Sequence, residues 1–497
     1  MSFIKSLFGL NQGGQFSTLR GVIWPIYREE LKKFFPMSII IFCILLNYTI
    51  LRNMKDTLVM KVAGAGTLAF LKLYVVTPVA LIFVVLFTKA FNKFGKEKTF
   101  YVMITPFLVF YLLFAFIIYP NQEMFHPNPE SIANAIASYP RLTGFINIYA
   151  YWSFSLFFVL AEIWGSMGLA VLFWQFANRV TKLNESKRFY PLFIAIGNLS
   201  LILCGIISSV IKSQNLSWSY SIKVQMIIIA ISGIVAMYIY RFLHTGVLTD
   251  PKNLPETSAD AKKKEKVKMG LVESMKLVFS SKELLLIAAL VMCYGISINL
   301  VEVQWKNQVK LYFNNDSALI NNFFNTYSLF TGISAIVFGW VVGVGALKKL
   351  SWFTCASFTP IVLIIGGSMF FCAMFAKSLF ESIAMNPLLI GTYCGMVIVM
   401  VTKLVKYAMF DTTKEMAYLV LDDDVKNRGK AAVEVIGGRF GKAGGAFLQT
   451  TALMIVGTTD VTMITKYSAF FFIVAMILWI LSASKLNGRL LKIRKEN

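Results

Sequence analysis

The sequence predicts an all-α membrane protein, a bundle of twelve transmembrane helices arranged as two halves of six. Three observations carry that expectation. Of the 497 residues 57% are hydrophobic and only 15% charged, with a mean hydropathy of +0.67, where soluble chains are roughly half apolar and a quarter charged. Apolar stretches of about the length that crosses a bilayer recur along the whole chain. The longest polar insert, 244–283, falls midway and separates six such stretches from six. A soluble globular protein, a disordered chain and a secreted disulfide scaffold are all excluded by this composition.

In chain order the predicted spans are 36–51, 68–91, 100–119, 145–177, 190–211 and 220–242, then 284–303, 318–345, 352–376, 387–407, 435–457 and 467–486. The fourth is longer than one crossing needs, so it must tilt, bend or protrude. Residues 1–35 are polar with scattered cations and read as a cytoplasmic tail rather than a signal peptide. The segment 244–283 reads as a basic cytoplasmic linker and 487–497 as a basic cytoplasmic tail. With the N-terminus in the cytoplasm, loops on that side carry about 31 of the 48 Lys and Arg and the opposite loops about 10, the asymmetry expected of cytoplasmic loops. Most of the net charge of +23 is thereby a topology signal, with no nucleic-acid partner required. The six cysteines lie within apolar runs without a CxxC pair, and His126 and His244 cannot build a zinc or haem site between them. No cofactor, metal or obligate protein partner is implied beyond the lipid bilayer, and no loop holds the constellation of an enzyme.

A shift of 240 residues places Ala177, Val180, Arg188, Ile196, Gly197 and Gly205 on Ala417, Val420, Arg428, Ile436, Gly437 and Gly445. Parallel six-helix repeats with a substrate site between them are the major facilitator arrangement.

Charges within the spans need a separate explanation, because an ionised side chain near mid-bilayer costs about 2.5–3.5 kcal/mol and is normally turned toward protein or a watery cavity. The first span ends in LRNMKDTL, where Asp56 can pair with Arg52 and where Arg52 and Lys55 could snorkel to headgroups. Lys72 precedes Thr77 and Pro78, the mark of a kinked helix beside a cavity. On the fourth span Tyr151, Ser155, Phe158, Glu162 and Ser166 form a polar and aromatic stripe, and on the seventh Asn299 and Glu302 precede Lys306 and Lys310. Either glutamate could instead pair with a lysine of another helix. Asn198 is an uncharged polar residue deep in the fifth span. On a continuous tenth helix Lys403, Lys406 and Lys414 share one face, with Tyr407 and Phe410 between them, offering ammonium groups to phosphates and rings to a base.

EVIGGRFGKAGG invites a phosphate-loop reading, yet Ile436 and Ala443 occupy the places that a P-loop gives to Gly and to Ser or Thr. Gly437, Gly441 and Gly445 instead form a strip for close helix packing, with Arg439 and Lys442 on another face. Together the candidate cations outnumber the candidate acids, and a cationic surplus in a low-dielectric cavity favours a polyanion as its occupant.

LRNMKDTL, the segment from Ala161 beginning AEIWGSMGLAV, NLVEVQWK, VKYAMFDTTKEMAYLVLDDDVKNRGKAAVEVIGGR and FGKAGG resemble the ATP/ADP translocase (nucleotide transporter) family of plastids and obligate intracellular bacteria. The resemblance covers nearly all of the spans. It implies a twelve-helix transporter in a bacterial inner membrane exchanging host ATP for bacterial ADP, with phosphate a candidate companion of ADP and the nucleotides as substrates rather than cofactors. It also implies that Lys55, Glu162, Glu302 and Lys414 are the functionally critical charges. The chain departs from the family where it reads MAYLVLD at 416–422 in place of MAYIPLD. Since the family includes proton-coupled nucleotide importers, symport is the alternative.

Overall fold

A computed structural model describes residues 24–250, 276, 278–349, 351–418 and 423–496. Ten of its helices are long and apolar enough to cross a membrane: α1 Leu31–Ala63, α2 Thr67–Gly95, α3 Glu97–Ile118, α4 Trp152–Val180, α5 Asn184–Ser213, α6 Trp218–Val247, α7 Lys282–Tyr312, α9 Trp352–Phe375, α10 Pro387–Tyr418 and α12 Val461–Ile493. Two further long helices, α8 Ser317–Lys349 and α11 Asp423–Val456, stand where the eighth and eleventh spans were expected. Helix is the secondary structure that satisfies every backbone polar group within a single crossing segment. Helix starts are set locally: Ser217, Ser281 and Ser351 each accept a bond from a first-turn N–H, and Asn386 does so for Leu388 and Leu389 with Pro387 in the first turn.

Helix ends differ from the sequence expectation at several places: α7 runs to Tyr312 and not 303, α10 to Tyr418 and not 407, and α11 starts at Asp423 and not 435. Helix α1 does not stop at residue 51 but continues for 12 more residues to Ala63, because the charges that end the apolar run are neutralised inside the bundle instead of reaching the headgroups. The long fourth stretch is broken at Tyr151, with a separate helix Thr143–Ala150 before α4. At the C-terminal end, the helix that begins at Thr465 runs to Glu496, so the basic tail continues it. The basic run 262–268 of the linker lies outside the described residues.

Equivalent packing relates the halves: α1 packs on α5 and α7 on α11, while α5 meets α8 across the halves and α11 meets α2. Gly197 lies against Leu45 of α1, and its repeat mate Gly437 lies against Val291 of α7. The glycine strip of α11 packs as expected, Gly441 on the backbone of Met292 and Gly445 on Ile296 and Asn299. That strip lies in a continuous helix, which also removes any phosphate-loop reading.

Where α1 and α7 end, the halves are in direct contact. Asn315 Nδ2 donates to the Lys61 carbonyl at 3.2 Å. A side chain at Gly66 would collide with the Thr459 carbonyl, so a residue lacking Cβ is required there. At the opposite end the strong ion pairs lie within one half: Lys33 with Glu185 at 2.6 Å and Arg188 with Glu30 in the first, Arg489 with Glu283 in the second.

Candidate functional site

Helix α1 brings the residues of LRNMKDTL inward. Lys55 Nζ bonds Asp56 Oδ1 at 2.7 Å and Glu162 Oε1 of α4 at 2.9 Å. The other oxygen of Asp56 accepts from Lys306 of α7 at 2.8 Å, and Lys306 also meets Glu302, one turn earlier, at 3.2 Å. The result is a chain of alternating sign, Glu162, Lys55, Asp56, Lys306 and Glu302, that runs from one half into the other. Its three inner side chains are at most 5% exposed, whereas Glu162 and Glu302 at its ends are 29% and 24% exposed. Neither snorkelling of Lys55 nor an Asp56–Arg52 pair survives. Burial of Lys55 keeps its ammonium from headgroups, and the two lysines occupy both oxygens of Asp56.

Further cations surround this chain. Lys72 sits half-buried in a π-helical segment, Leu71–Val76, just before Pro78. Lys72 interacts electrostatically with Lys306, Glu302, Glu162 and Lys55. Arg52 and Lys403 both act on Glu302. The Arg52 guanidinium donates to Ser328 Oγ at 3.4 Å, beside Asn53, whose amide bonds Asn325 at 2.7 Å and Ser328 at 2.9 Å. These bonds tie α1 to α8; in a bilayer such contacts contribute about 0.6 kcal/mol each on average.

The tenth helix departs from the expected single lysine face. Residues Lys406–Phe410 are π-helical, and a turn with an extra residue rotates the next turns away from a 100° register. Before that segment, Lys403 donates to the Tyr327 hydroxyl of α8 at 2.9 Å. Lys406 and Lys414 both turn to Asp411, at 2.6 and 3.9 Å. Thus Lys414 pairs on its own helix, and not with Glu162 or Glu302. Phe410 is buried against Tyr294 and Trp479 and is closed to a base, whereas Tyr407 is 67% exposed. The π segment Gly165–Trp174 of α4 falls, at the 240-residue offset, on that of α10. Glu162 and Lys406 therefore stand beside equivalent irregular turns, a placement common at functional sites.

Aromatic rings support the cations. Lys55 lies 4.0 Å from the centroid of Phe158, Lys406 4.4 Å from Tyr407, Lys403 5.1 Å from Tyr327 and Arg52 5.8 Å from Tyr48. Ring quadrupoles attract cations within about 6 Å. Among the described residues Lys55, Lys306, Lys72, Arg52 and Lys403 stand against Glu162, Asp56 and Glu302, five cations for three acids, and Lys406 and Lys414 lie further along α10 with Asp411.

Not every expected residue joins this group. Asn198 is half-buried at the α5–α8 contact, where its backbone carbonyl faces Gly332. Lys442 is exposed, and its carbonyl accepts from Asn299 at 3.4 Å; the side chain of Arg439 lies outside the described residues. Sequence reasoning left Lys306, Tyr327 and Ser328 out of the site. Only Lys306 carried a legible signal, its position one helical turn after Glu302. Among the described residues no group of His, Cys, Asp or Glu could hold a metal ion.

A helical membrane protein of the major facilitator fold, with charges gathered between its halves, is the class that this fold and site define. Solved structures of similar architecture include the nucleoside transporter NupG (TM-score 0.51, 13% identical, covering 91% of this chain and 99% of that one). A bacterial homologue of the iron transporter ferroportin in its inward-facing state gives a TM-score of 0.53 at 11% identity, covering 92% of this chain and all of that one. At these identities the likeness concerns the fold alone. The model of the TLC ATP/ADP transporter family matches residues 11–490, and the chain belongs to that family. Similar relatives include ADP,ATP carrier protein 1 of Rickettsia bellii, 41% identical over 95% of this chain and 96% of that protein. ADP,ATP carrier protein 3 of Rickettsia prowazekii is 40% identical over 96% of this chain and 98% of its own.

Proposed function

We propose that this chain is an antiporter of the bacterial inner membrane that exchanges host ATP for bacterial ADP by alternating access. The proposed topology has twelve crossings with both termini in the cytoplasm. The observation that carries the reading is that, among the described residues, five cations (Lys55, Lys306, Lys72, Arg52 and Lys403), three of them resting on aromatic rings, gather between the two halves against the carboxylates of Glu162, Asp56 and Glu302. Lys406 and Lys414 of α10 add to the surplus. The surplus suits the roughly three to four negative charges of a nucleoside di- or triphosphate, and exposed Tyr407 offers a face on which a base can stack.

In this reading Lys406 and Lys414 of α10, with Lys403, take the phosphate chain from the second half. Arg52, Lys55 and Lys72 approach it from the first. Glu162 and Glu302 compete with the phosphates for the same lysines, and their departure from those lysines couples binding to movement. An anion bridging cations of two halves favours the occluded state over either open one, which is how a substrate drives alternating access. An empty carrier lacks that bridge and reorients slowly. Phosphate, a smaller anion, is a candidate co-substrate with ADP.

Uptake of labelled ATP into vesicles containing the purified protein tests this reading. Internal ADP should accelerate uptake strongly, with no effect of a proton ionophore. Equal uptake into empty and ADP-loaded vesicles, abolished by the ionophore, would instead assign proton symport.

A further inference from the structure

Helices α1 and α7 occupy equivalent places in the two halves, and an offset of 250 residues aligns their ends to within one residue. At that offset Arg52 and Asp56 fall on Glu302 and Lys306. Each helix thus carries a charge pair four residues apart, and the second pair has the signs of the first reversed. Around a two-fold axis equivalent positions meet each other, so identical halves would set aspartate against aspartate. Reversal converts that repulsion into attraction: Asp56 bonds Lys306 at 2.8 Å, and Arg52 acts on Glu302.

The bridge differs from a permanent buried ion pair in what remains when it parts. Separation of a buried pair ordinarily leaves two uncompensated charges. Here Asp56 keeps Lys55, its neighbour on α1, and Lys306 keeps Glu302, one turn away on α7. Lys55 keeps Glu162 as well, and α4 belongs to the same half. Each half therefore retains counter-ions of its own. The contact also lies near the end of the bundle where Asn315 meets the Lys61 carbonyl and Gly66 meets Thr459.

We propose that Asp56 and Lys306 form a reversible ionic latch that closes the two halves at this end, with Lys55, Glu162 and Glu302 as same-half counter-ions that take over when it opens. The latch rests on the transporter reading, in whose orientation this end faces outward. It assigns Asp56 and Lys306 a role separate from holding phosphate: they set how often the outer gate opens. Asp56 acts through the lysines it pairs and is a positioning residue.

The test uses the full-length protein in intact cells. Ser328, fully buried, bonds both Arg52 and Asn53 one turn inward of the latch, and Ser328→Cys is a nearly isosteric reporter. Its reaction with an impermeant thiol reagent is followed against the same protein without the added cysteine. Asp56→Asn should speed labelling about tenfold by shifting the population toward the open state; Lys306→Gln should act alike and serves if the first variant fails to accumulate. The exchange Asp56→Lys with Lys306→Asp keeps the bridge but leaves an excess of one sign in each separated half. It should label no faster than the parent and transport more slowly. Labelling of both single variants at the parental rate would overturn the latch. Recovery of parental labelling and parental transport together in the exchanged pair would overturn the counter-ion role. Because labelling does not depend on which solute is carried, a failure of ATP exchange would leave this reading separately decided.

Discussion

Two groups of lysines lie inside this molecule, and they are balanced in opposite ways. Lys55 and Lys306 are held by carboxylates from three helices and both halves, with almost no exposure. Among the described residues Lys406 and Lys414 meet the carboxylate of Asp411, which lies on their own helix and is a third exposed. Geometry assigns the groups different work. A fully paired network takes up an anion only as its own carboxylates let go, and so responds mainly to movement of the helices that supply it. A pair of lysines facing one partly exposed carboxylate offers an anion charge with less to displace. In the proposed exchange, substrate capture accordingly begins on α10, and the transition between open states is governed where α1 meets α7.

The largest expected effect comes from Lys55, which belongs to the paired network and faces the proposed phosphate path. Lys55→Gln should abolish exchange at normal protein abundance, since truncating one partner of a buried charge pair costs about 2–5 kcal/mol. Combining it with Glu162→Gln removes one stranded carboxylate and should not restore transport. Wild-type exchange by that double variant would reduce Lys55 to a structural tie between α1 and α4.

Next come the α10 cations. Lys414→Gln should weaken ATP binding roughly thirtyfold or more, as measured by the apparent KM of exchange, with maximal rate less affected than in Lys55→Gln. Lys414→Arg should rescue poorly, because a forked guanidinium does not replace a compact ammonium in a packed cavity. Full activity of Lys414→Gln would break the division of labour between the two groups.

A smaller effect is expected at Lys403, whose hydroxyl partner positions it. Tyr327→Phe removes a 2.9 Å bond worth about 0.5–1.5 kcal/mol, so KM should rise by roughly tenfold at most while substrate preference is kept. The smallest belongs to Asn198. Its place on the α5–α8 contact predicts that Asn198→Ala lowers transport of ATP and ADP in proportion, by about 0.6 kcal/mol. A changed ratio of ATP to ADP uptake would bring it into the substrate site after all.

Hydropathy made the bundle legible because apolar side chains facing lipid or core dominate every span. Lys55, Glu162 and Glu302 were legible for the converse reason, as charges where charge is costly. The full length of α1 was hidden, since RNMKD resembles a span end until its partners on α4 and α7 are seen. A lysine face on α10 was inferred from uniform helical geometry, and the π segment at Lys406–Phe410 overrode it. Tyr327 and Ser328 bear no charge and follow no motif, so only tertiary packing reveals them as partners of Lys403 and Arg52.

Cations from both halves holding one phosphate chain is the central claim, and the dependence of affinity on phosphate number tests it most directly. Binding of adenosine, AMP, ADP and ATP to the purified protein in lipid nanodiscs should strengthen with each phosphate and weaken with added salt. In Lys414→Gln and in Lys55→Gln that dependence should flatten, with ATP losing more affinity than AMP and adenosine least of all. Equal loss for all four ligands, or an undiminished preference for ATP in both variants, would contradict it.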